Sequence, residues 1–326
     1  MRPQWIRRVD FPENNGRRRK SMWYAGWDGG GTKTEVCILD GEGKLLAKRV
    51  FGPLNPNGTD PERVRETVRE AVEFMRSQPG GETACGGTVI GAAGMSNLET
   101  RRLLKEALEK AGWHREIRLE GDQTIALAGA VDGPGAILIA GTGAICCGRD
   151  PEGNPFRVGG YGYLIDDGGS GYAIGRDILT AAVRAFDGRG RPTLLSRLAA
   201  ERLGIDPSEI QRMITWLYAP DTGKKEIASL APLLTEALGQ GDETARKIAR
   251  KAAADLAELV ITGWRKSGMD SGELAMTGSI LTRIPEVREE TERLIHAAFP
   301  RIRILPPRRT PAEGAARMAL ETEHGT

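Results

Sequence analysis

The chain begins its regular pattern with three short apolar segments separated by turn residues. Residues 22–28 (Met-Trp-Tyr-Ala-Gly-Trp-Asp), 34–39 and 44–51 are rich in residues that favour strands. Glycine-containing turns at 29–31 and 40–43 separate them. This pattern predicts an antiparallel three-stranded meander.

Helical periodicity follows the meander. Asp60 is a natural N-cap and Pro61 suits the first helical position. One face of this helix carries the apolar residues Val64, Val68, Ala71, Val72 and Met75. The pattern then predicts a strand at 87–91, a helix at 98–111 and a short strand at 116–119.

A second meander follows. Residues 135–140, 144–149 and 156–158 are predicted strands, joined by Gly141-Thr142-Gly143 and by Asp150-Pro151-Glu152-Gly153. The second turn matches Asp40-Gly41-Glu42-Gly43 of the first meander in kind. Two similar meanders about a hundred residues apart indicate a duplicated domain.

The remaining chain is richer in helix. The predicted helices cover 171–187, 192–203, 207–218, 224–239, 242–267, 286–298 and 311–322, with strands at 273–276 and 301–305. Mixed strands and helices, with hairpins in each half, predict an α/β fold.

Composition narrows the class of protein. A chain of 326 residues is too long for one ordinary core and suits two domains. Hydrophobic residues make up 40% and charged residues 28%, which is typical of a globular protein. A net charge of +2 indicates no nucleic-acid domain. No apolar run approaches the roughly 18 residues of a membrane helix, so no membrane partner is expected.

Cysteine usage and the N-terminus bear on location. The four cysteines form no CxxC pair and no metal-ligand spacing, which favours a reduced cytoplasmic protein with buried thiols. Residues 1–21 are basic but lack the apolar stretch of a signal peptide. We expect a disordered extension there; the alternative is a basic arm that binds an anionic partner.

The first candidate site is a glycine-rich turn after the first strand. It reads Asp28-Gly29-Gly30-Gly31-Thr32-Lys33-Thr34. Consecutive glycines let backbone N–H groups surround a phosphate, and Asp28 could hold a hydrated Mg²⁺ beside it. It is not a Walker A loop, because Thr32 stands between the last glycine and Lys33. The alternative is a tight hairpin turn.

Two further features resemble parts of the same kind of site. Gly141-Thr142-Gly143 again puts small residues and a hydroxyl between two strands. Asp122 follows a short strand, where a carboxylate facing a cleft is a candidate general base. The local sequence by itself favours the alternative, in which Asp122 caps a helix.

The run from Gly159 to Gly171 combines many glycines with Tyr161, Tyr163, Asp166 and Asp167. Carboxylates accept hydrogen bonds from sugar hydroxyls and aromatic faces pack on sugar C–H surfaces, so we interpret it as a sugar-binding loop. Thr277-Gly278-Ser279 follows an apolar strand and could lie against adenine or ribose.

Together these residues resemble the N-acetylglucosamine kinase family. That family lies in the BadF/BadG/BcrA/BcrD ATPase group of the sugar kinase, Hsp70 and actin superfamily. The resemblance covers nearly everything from Met22 onward and is most specific at Gly159–Gly175. It implies an actin-like ATPase fold, with two ribonuclease-H-like domains around a central cleft. The expected domains are 22–121, with helix 311–326 packing back on it, and 122–310.

The resemblance implies transfer of the ATP γ-phosphoryl group to a hydroxyl of an amino sugar, with ATP and Mg²⁺ as the required cofactors. Asp122 would be the base and Asp28 the metal ligand. The residues expected to bind ATP are Gly29, Gly30, Gly31, Thr32, Lys33, Gly141, Thr142, Gly143, Gly278 and Ser279. The residues expected to bind the sugar are Asn55, Gly160, Tyr161 and Asp167. We also expect a homodimer.

Three positions depart from the family pattern: Gly168 replaces a frequent Glu, Tyr161 a frequent Trp and Ala144 a frequent Ser. They leave glucosamine, N-acetylmuramate or another sugar open as the substrate. Two other functions stay as alternatives. One is an ATPase that activates a reductase or dehydratase through an iron–sulfur cluster. The other is a sugar sensor without turnover.

Overall fold

The computed structural model describes residues 22–55, 60–95 and 97–322, so the extension expected at 1–21 lies outside the described residues. The chain divides into two compact units. The first comprises Met1–Gly129 and Arg309–Thr326, and the second comprises Ala130–Arg308. Each unit contains one five-stranded mixed sheet with helices against it.

The strands are β1 (Trp23–Gly29), β2 (Thr34–Asp40), β3 (Leu45–Phe51), β4 (Cys85–Ala92), β5 (Ile117–Gly121), β6 (Gly135–Ala140), β7 (Ala144–Arg149), β8 (Pro155–Gly159), β9 (Ser271–Thr277) and β10 (Arg301–Leu305). The α-helices are α1 (Pro61–Arg76), α2 (Leu98–Lys110), α3 (Asp122–Ala130), α4 (Gly171–Phe186), α5 (Leu194–Leu203), α6 (Met213–Leu217), α7 (Lys224–Ala228), α8 (Leu233–Gly239), α9 (Glu243–Ser267), α10 (Ser279–Arg283), α11 (Pro285–Ala298) and α12 (Pro311–Thr322). Short 3₁₀ turns cover Gly81–Ala84 and Pro207–Arg212.

The two sheets have the same topology. The first runs β3-β2-β1-β4-β5, and the second, in the equivalent order, runs β8-β7-β6-β9-β10. In each sheet the first three strands form an antiparallel meander and the last two join in parallel. The duplication predicted from the two meanders is therefore confirmed at the level of strand order.

The central strand β1 is buried on both faces. Trp23, Ala25 and Trp27 pack with residues of α1 and α2, whereas Tyr24 packs with residues of α3 and α12. A strand covered on both sides reads as a continuous apolar run rather than an alternating one, as the sequence of β1 does. Because successive side chains point to opposite faces, Asp28 shares the face of Tyr24 and Gly26.

Helix α12 lies against β1 almost backbone to backbone. A Cβ added at Gly26 would lie 2.1 Å from the Ala316 nitrogen and 2.2 Å from the Ala312 oxygen. A Cβ at Gly314 of α12 would lie 2.3 Å from the Ile125 oxygen of α3. This packing ties α3 to the first unit, which extends to Gly129 rather than to residue 121 as expected.

Two expected helices are interrupted. The helix expected at 224–239 is two helices, α7 and α8, because Pro232 between them has no N–H for a continuous ladder. The helix expected at 207–218 begins as a 3₁₀ turn with a kink at Glu209. Among the described residues, even the 25-residue α9 is too polar to cross a bilayer, and no other helix qualifies.

We expect Gly26→Ala to lower the free energy of unfolding by at least about 2 kcal/mol, because its methyl group can be accommodated only if α12 moves away from β1. Gly133→Ala is the matched control, since a Cβ there meets no atom within 4 Å. Urea unfolding of both variants measures the difference. Equal midpoints would show that α12 does not pack on β1 this closely.

Candidate functional site

In the first unit, two carboxylates lie at one edge of the sheet. β1, β4 and β5 are parallel, so their carboxyl ends meet at the same edge. Asp28 is the second-last residue of β1, and Asp122 follows β5 directly. The two are close enough for the charge of Asp122 to act on Asp28.

The first glycine loop closes the hairpin at this edge. The Gly30 amide donates to the Lys33 carbonyl at 2.9 Å, and the Asn55 amide donates to the Gly30 carbonyl at 3.2 Å. The structure thus brings Asn55 to the loop. Among the described residues, the amides of Gly31 and Thr32 have no hydrogen-bond partner. A Cβ at Gly31 would meet nothing within 4 Å, so the space over it is open to a ligand.

The surroundings of Asp28 disfavour the ionised form of its carboxyl group. Burial, with the nearby charges of Glu35 and Asp122, raises the pKa of Asp28 to about 6, although Lys33 acts in the opposite direction. Glu35 is the direct cross-strand neighbour of Asp28 on β2. Its own carboxylate binds the Lys48 ammonium at 2.9 Å and the Thr310 hydroxyl at 2.8 Å.

This environment fits a bound cation. No group of three or more His, Cys, Asp or Glu side chains among the described residues could hold a metal by itself. Mg²⁺, however, is commonly held by one or two carboxylates while phosphate groups and water complete its coordination. Asp28 beside an open, amide-rich loop has the chemistry for such a site.

Asp122 is the first residue of α3 and is exposed. Its Oδ1 accepts a hydrogen bond from the Gln123 amide at 3.0 Å. The carboxylate therefore contacts the start of the helix while standing at the sheet edge. Both roles considered from the sequence, helix cap and general base, are compatible with this position.

In the second unit, the second glycine loop is attached to the start of α4. The Gly171 amide donates to the Gly141 carbonyl at 2.7 Å and the Tyr172 amide to the Thr142 carbonyl at 3.3 Å. A Cβ at Gly171 would lie 3.0 Å from that Gly141 oxygen, so a side chain there would crowd this contact. Ser170 caps α4 by accepting from the Ala173 amide at 3.2 Å.

A cavity of about 460 Å³ opens beside this loop. Its lining includes Gly141, Thr142, Ser279, Ser229 and Arg283, together with apolar residues of α7, α10 and the turn before α8. The volume is in the range of small-ligand sites. The structure thus joins the second loop and the Thr277–Ser279 turn, which the sequence treats as separate motifs.

Gly278 makes this junction possible. It has a φ of +98°, and a Cβ there would lie 2.2 Å from the Ala140 oxygen at the end of β6. Only glycine allows the end of β9 to lie this close to the end of β6.

Asp167 lies behind the second loop. It is 3% exposed and has a φ of +65°. Its Oδ1 accepts from the Ala144 amide at 3.2 Å and its Oδ2 from the Lys224 ammonium at 2.7 Å. Both oxygens therefore have protein partners, and the expected sugar contact stays a prediction.

Tyr161 stands on the outer part of the same segment. The residue is 69% exposed, and the Arg157 guanidinium lies 5.0 Å from the centre of its ring. Its amide donates to Asp166 at 3.0 Å. Gly160, with a φ of +76°, forms the turn that precedes it. An exposed ring on a braced turn suits contact with a ligand.

Sequence reasoning missed Glu35 and Lys224. Glu35 directly follows Thr34 in the sequence. Once the register of the hairpin is known, Glu35 is the residue opposite Asp28. Lys224 is 57 residues from Asp167 in the sequence, and no local signal indicates that the two meet.

The cysteines do not form an exposed cluster site. All four are buried, and Cys146 and Cys147 lie on β7. Burial raises the pKa of the Cys146 thiol, which disfavours the thiolate that an iron–sulfur cluster needs. This counts against the activator alternative.

Comparison with known proteins gives a consistent result. The sequence profile of the BadF/BadG/BcrA/BcrD ATPase family matches residues 25–319. The chain is 32% identical over 298 residues to the N-acetylmuramic acid/N-acetylglucosamine kinase of Clostridium acetobutylicum, which covers 90% of this chain and 97% of that protein. It is 30% identical over 315 residues to the N-acetyl-D-glucosamine kinase of Dictyostelium discoideum, covering 92% and 98%.

A solved structure supports the fold. A Chromobacterium violaceum protein, provisionally named an N-acetylglucosamine kinase, superposes with a TM-score of 0.71 at 24% identity, covering 92% of this chain and 99% of that chain. With the repeated sheets, this likeness confirms the actin-like α/β fold expected from the sequence.

We expect Asp28→Asn to stabilise the ligand-free protein at pH 8 by up to roughly 3 kcal/mol, the free energy that corresponds to a pKa shift of about two units. The folded-state pKa is raised, so ionised Asp28 costs stability above about pH 6. The gain should shrink as the pH falls from about 6 to about 4, because folded wild-type Asp28 is then protonated and no longer carries the buried charge.

Thermal unfolding from pH 4 to pH 8, without nucleotide or divalent cation, measures this gain. Asp150→Asn is the matched control: hydrogen bonds from Asn154 lower the pKa of Asp150, so its variant should gain nothing at pH 8. If Asp28→Asn is no more stable than wild type at pH 8, ionised Asp28 does not destabilise the folded protein.

Proposed function

The chain belongs to the BadF/BadG/BcrA/BcrD ATPase family, and from this premise we propose that it transfers the γ-phosphoryl group of ATP to a hydroxyl of an amino sugar. The observation that carries the proposal is the full-length similarity to two curated kinases, at 32% and 30% identity. The names of both include N-acetylglucosamine, and one also includes N-acetylmuramic acid. We therefore propose N-acetylglucosamine or a close relative as the acceptor.

The nucleotide is assigned to the glycine loops and the cavity. The 460 Å³ cavity beside Gly141 and Thr142 offers apolar walls and a few polar groups, which suits a nucleoside. The unpartnered amides of Gly31 and Thr32 in the first unit suit phosphate oxygens. The proposal thus assigns one phosphate-binding loop to each unit.

Two carboxylates of the first unit have distinct roles in the proposal. Asp28 holds Mg²⁺, which neutralises charge on the transferred phosphoryl group when bound. Asp122 accepts the proton of the sugar hydroxyl. The charge of Asp122 raises the pKa of Asp28, and a cation bound at Asp28 would offset that charge, which supports this pairing.

The sugar is assigned to Asn55, Gly160, Tyr161 and Asp167. Asn55 supports the assignment because its amide binds Gly30 of the first loop. Tyr161 supports it through its exposed ring. Asp167 would act mainly by holding in place the segment that carries Gly160 and Tyr161. Its own oxygens already bind Ala144 and Lys224.

We further propose that the enzyme requires Mg²⁺, works in the cytoplasm and forms a homodimer. Light scattering of the purified protein tests the homodimer. Removal of Mg²⁺ with a chelator should abolish turnover, because the phosphate charge is then uncompensated.

A coupled assay of ADP release tests the function. We expect release from ATP to depend on an added sugar, strongest with N-acetylglucosamine or N-acetylmuramate and weaker with glucosamine or glucose. ADP release that is the same with and without every sugar would support an ATPase instead. No ADP release with any sugar would support a sensor without turnover.

We expect Asp122→Asn to lower kcat by about 100-fold or more while ATP binding is retained, because the amide cannot accept the proton of the hydroxyl. The asparagine oxygen can still accept from the Gln123 amide, so the variant should fold. Asp40→Asn is the matched control: Asp40 also accepts backbone amides, from Glu42 and Lys44, in a turn away from the sheet edge. If Asp122→Asn is folded and keeps near-normal kcat, Asp122 is only a cap.

A further inference from the structure

Lys224 is a cation beside the second loop to which the assignments above give no role. It is the first residue of α7. Its ammonium lies 2.7 Å from Asp167 Oδ2 and 5.6 Å from the centre of the Tyr163 ring. It therefore contacts two residues of the 159–171 segment at once.

The same ammonium lies against the last residue of the second loop. A Cβ at Gly143 would be 2.9 Å from Lys224 Nζ and 2.9 Å from Asp167 Oδ2. Gly143 does not have a left-handed backbone, so its conformation does not require glycine. The limited space at Gly143 favours glycine instead, because a side chain there would displace the ammonium or the carboxylate from the loop.

The pair presents a positive charge outward. The Asp167 side chain is 3% exposed, whereas that of Lys224 is 31% exposed. A lysine ammonium has three N–H donors, and Asp167 uses one of them. A ligand at the Gly143 end of the loop would therefore meet the ammonium first, with the carboxylate behind it.

The residues that line the cavity indicate which part of a nucleotide would lie there. Gly141 and Thr142 line the cavity together with Ser279, Ile280 and Arg283, and so does Lys225, the neighbour of Lys224 on α7. Gly143 and Lys224 lie at the other end of the loop, beside Tyr163 and Asp167 of the expected sugar segment. A nucleotide with its nucleoside in the cavity would extend its last phosphate toward them.

We propose that Lys224 binds the terminal phosphate of ATP and is held in place for this by Asp167. The proposal rests on the proposed function and adds a substrate-contacting residue to it. Lysine is well suited to such a contact because it acts as a compact point charge on phosphate oxygens.

Lys224→Gln tests the proposal. Its amide can still donate to Asp167, so the buried carboxylate keeps a partner while the charge is lost. Isothermal titration with AMPPNP, ADP and adenosine measures the effect. We expect the affinity for AMPPNP to fall roughly 10-fold or more, that for ADP less than about 3-fold, and that for adenosine not at all, as for loss of one charged hydrogen bond.

Lys224→Arg should keep the preference for AMPPNP over ADP, because it keeps the charge. Lys251→Gln is the matched control: Lys251 also binds an aspartate, Asp177 at 3.0 Å, but lies outside the cavity lining. Its variant should bind all three compounds like the wild type.

Equal losses for AMPPNP, ADP and adenosine in Lys224→Gln would overturn the proposal, because a merely structural lysine affects them alike. No loss for any of them would overturn it too. A wild-type protein that binds AMPPNP but phosphorylates no sugar overturns the proposed function alone, since the Lys224 comparison can still be read. A wild type that binds none of the three overturns both.

Discussion

The site depends on the position of the central strand in each sheet. β1 and β6 are each antiparallel to a hairpin partner on one side and parallel to a crossover strand on the other. The hairpin turn must therefore lie at the edge where the parallel strands end. A short turn at that edge needs small residues, and both turns are glycine-rich. The same constraint brings Asp122, after β5, and Gly278, after β9, to the edges that carry the two loops.

The side chains around the loop of each unit differ in charge: they are negative at the first loop and positive at the second. At the first loop, Asp28, Glu35 and Asp122 gather negative charge, which suits a bound cation. At the second loop, the partly exposed ammonium of Lys224 lies in front of the buried Asp167, which suits an anion. The duplicated fold thus supplies two similar loops, and the residues around each loop determine what it can bind.

Sequence patterns were sufficient where local physics decides the outcome. The N-cap at Asp60, the apolar face from Val64 to Met75 and both meanders agree with the structure, because each depends on residues a few positions apart. The pattern predicts one helix at 224–239, although Pro232 is visible in the sequence, and the structure has two. The partnership of Lys224 with Asp167 and the approach of α12 to Gly26 could not be predicted, because each joins segments that only the folded chain brings together. The roles assigned to Asp122, Asn55 and Tyr161 rest on the resemblance, and the structure supplies surroundings compatible with them.

The central claim is that phosphate leaves ATP for a sugar hydroxyl and not for water. Phosphorus-31 NMR of a reaction with ATP, Mg²⁺ and N-acetylglucosamine or N-acetylmuramate follows every phosphorus atom directly. We expect a new sugar phosphomonoester resonance that grows in step with ADP, with little inorganic phosphate. Inorganic phosphate formed in step with ADP, without any sugar phosphate for either acceptor, would contradict it.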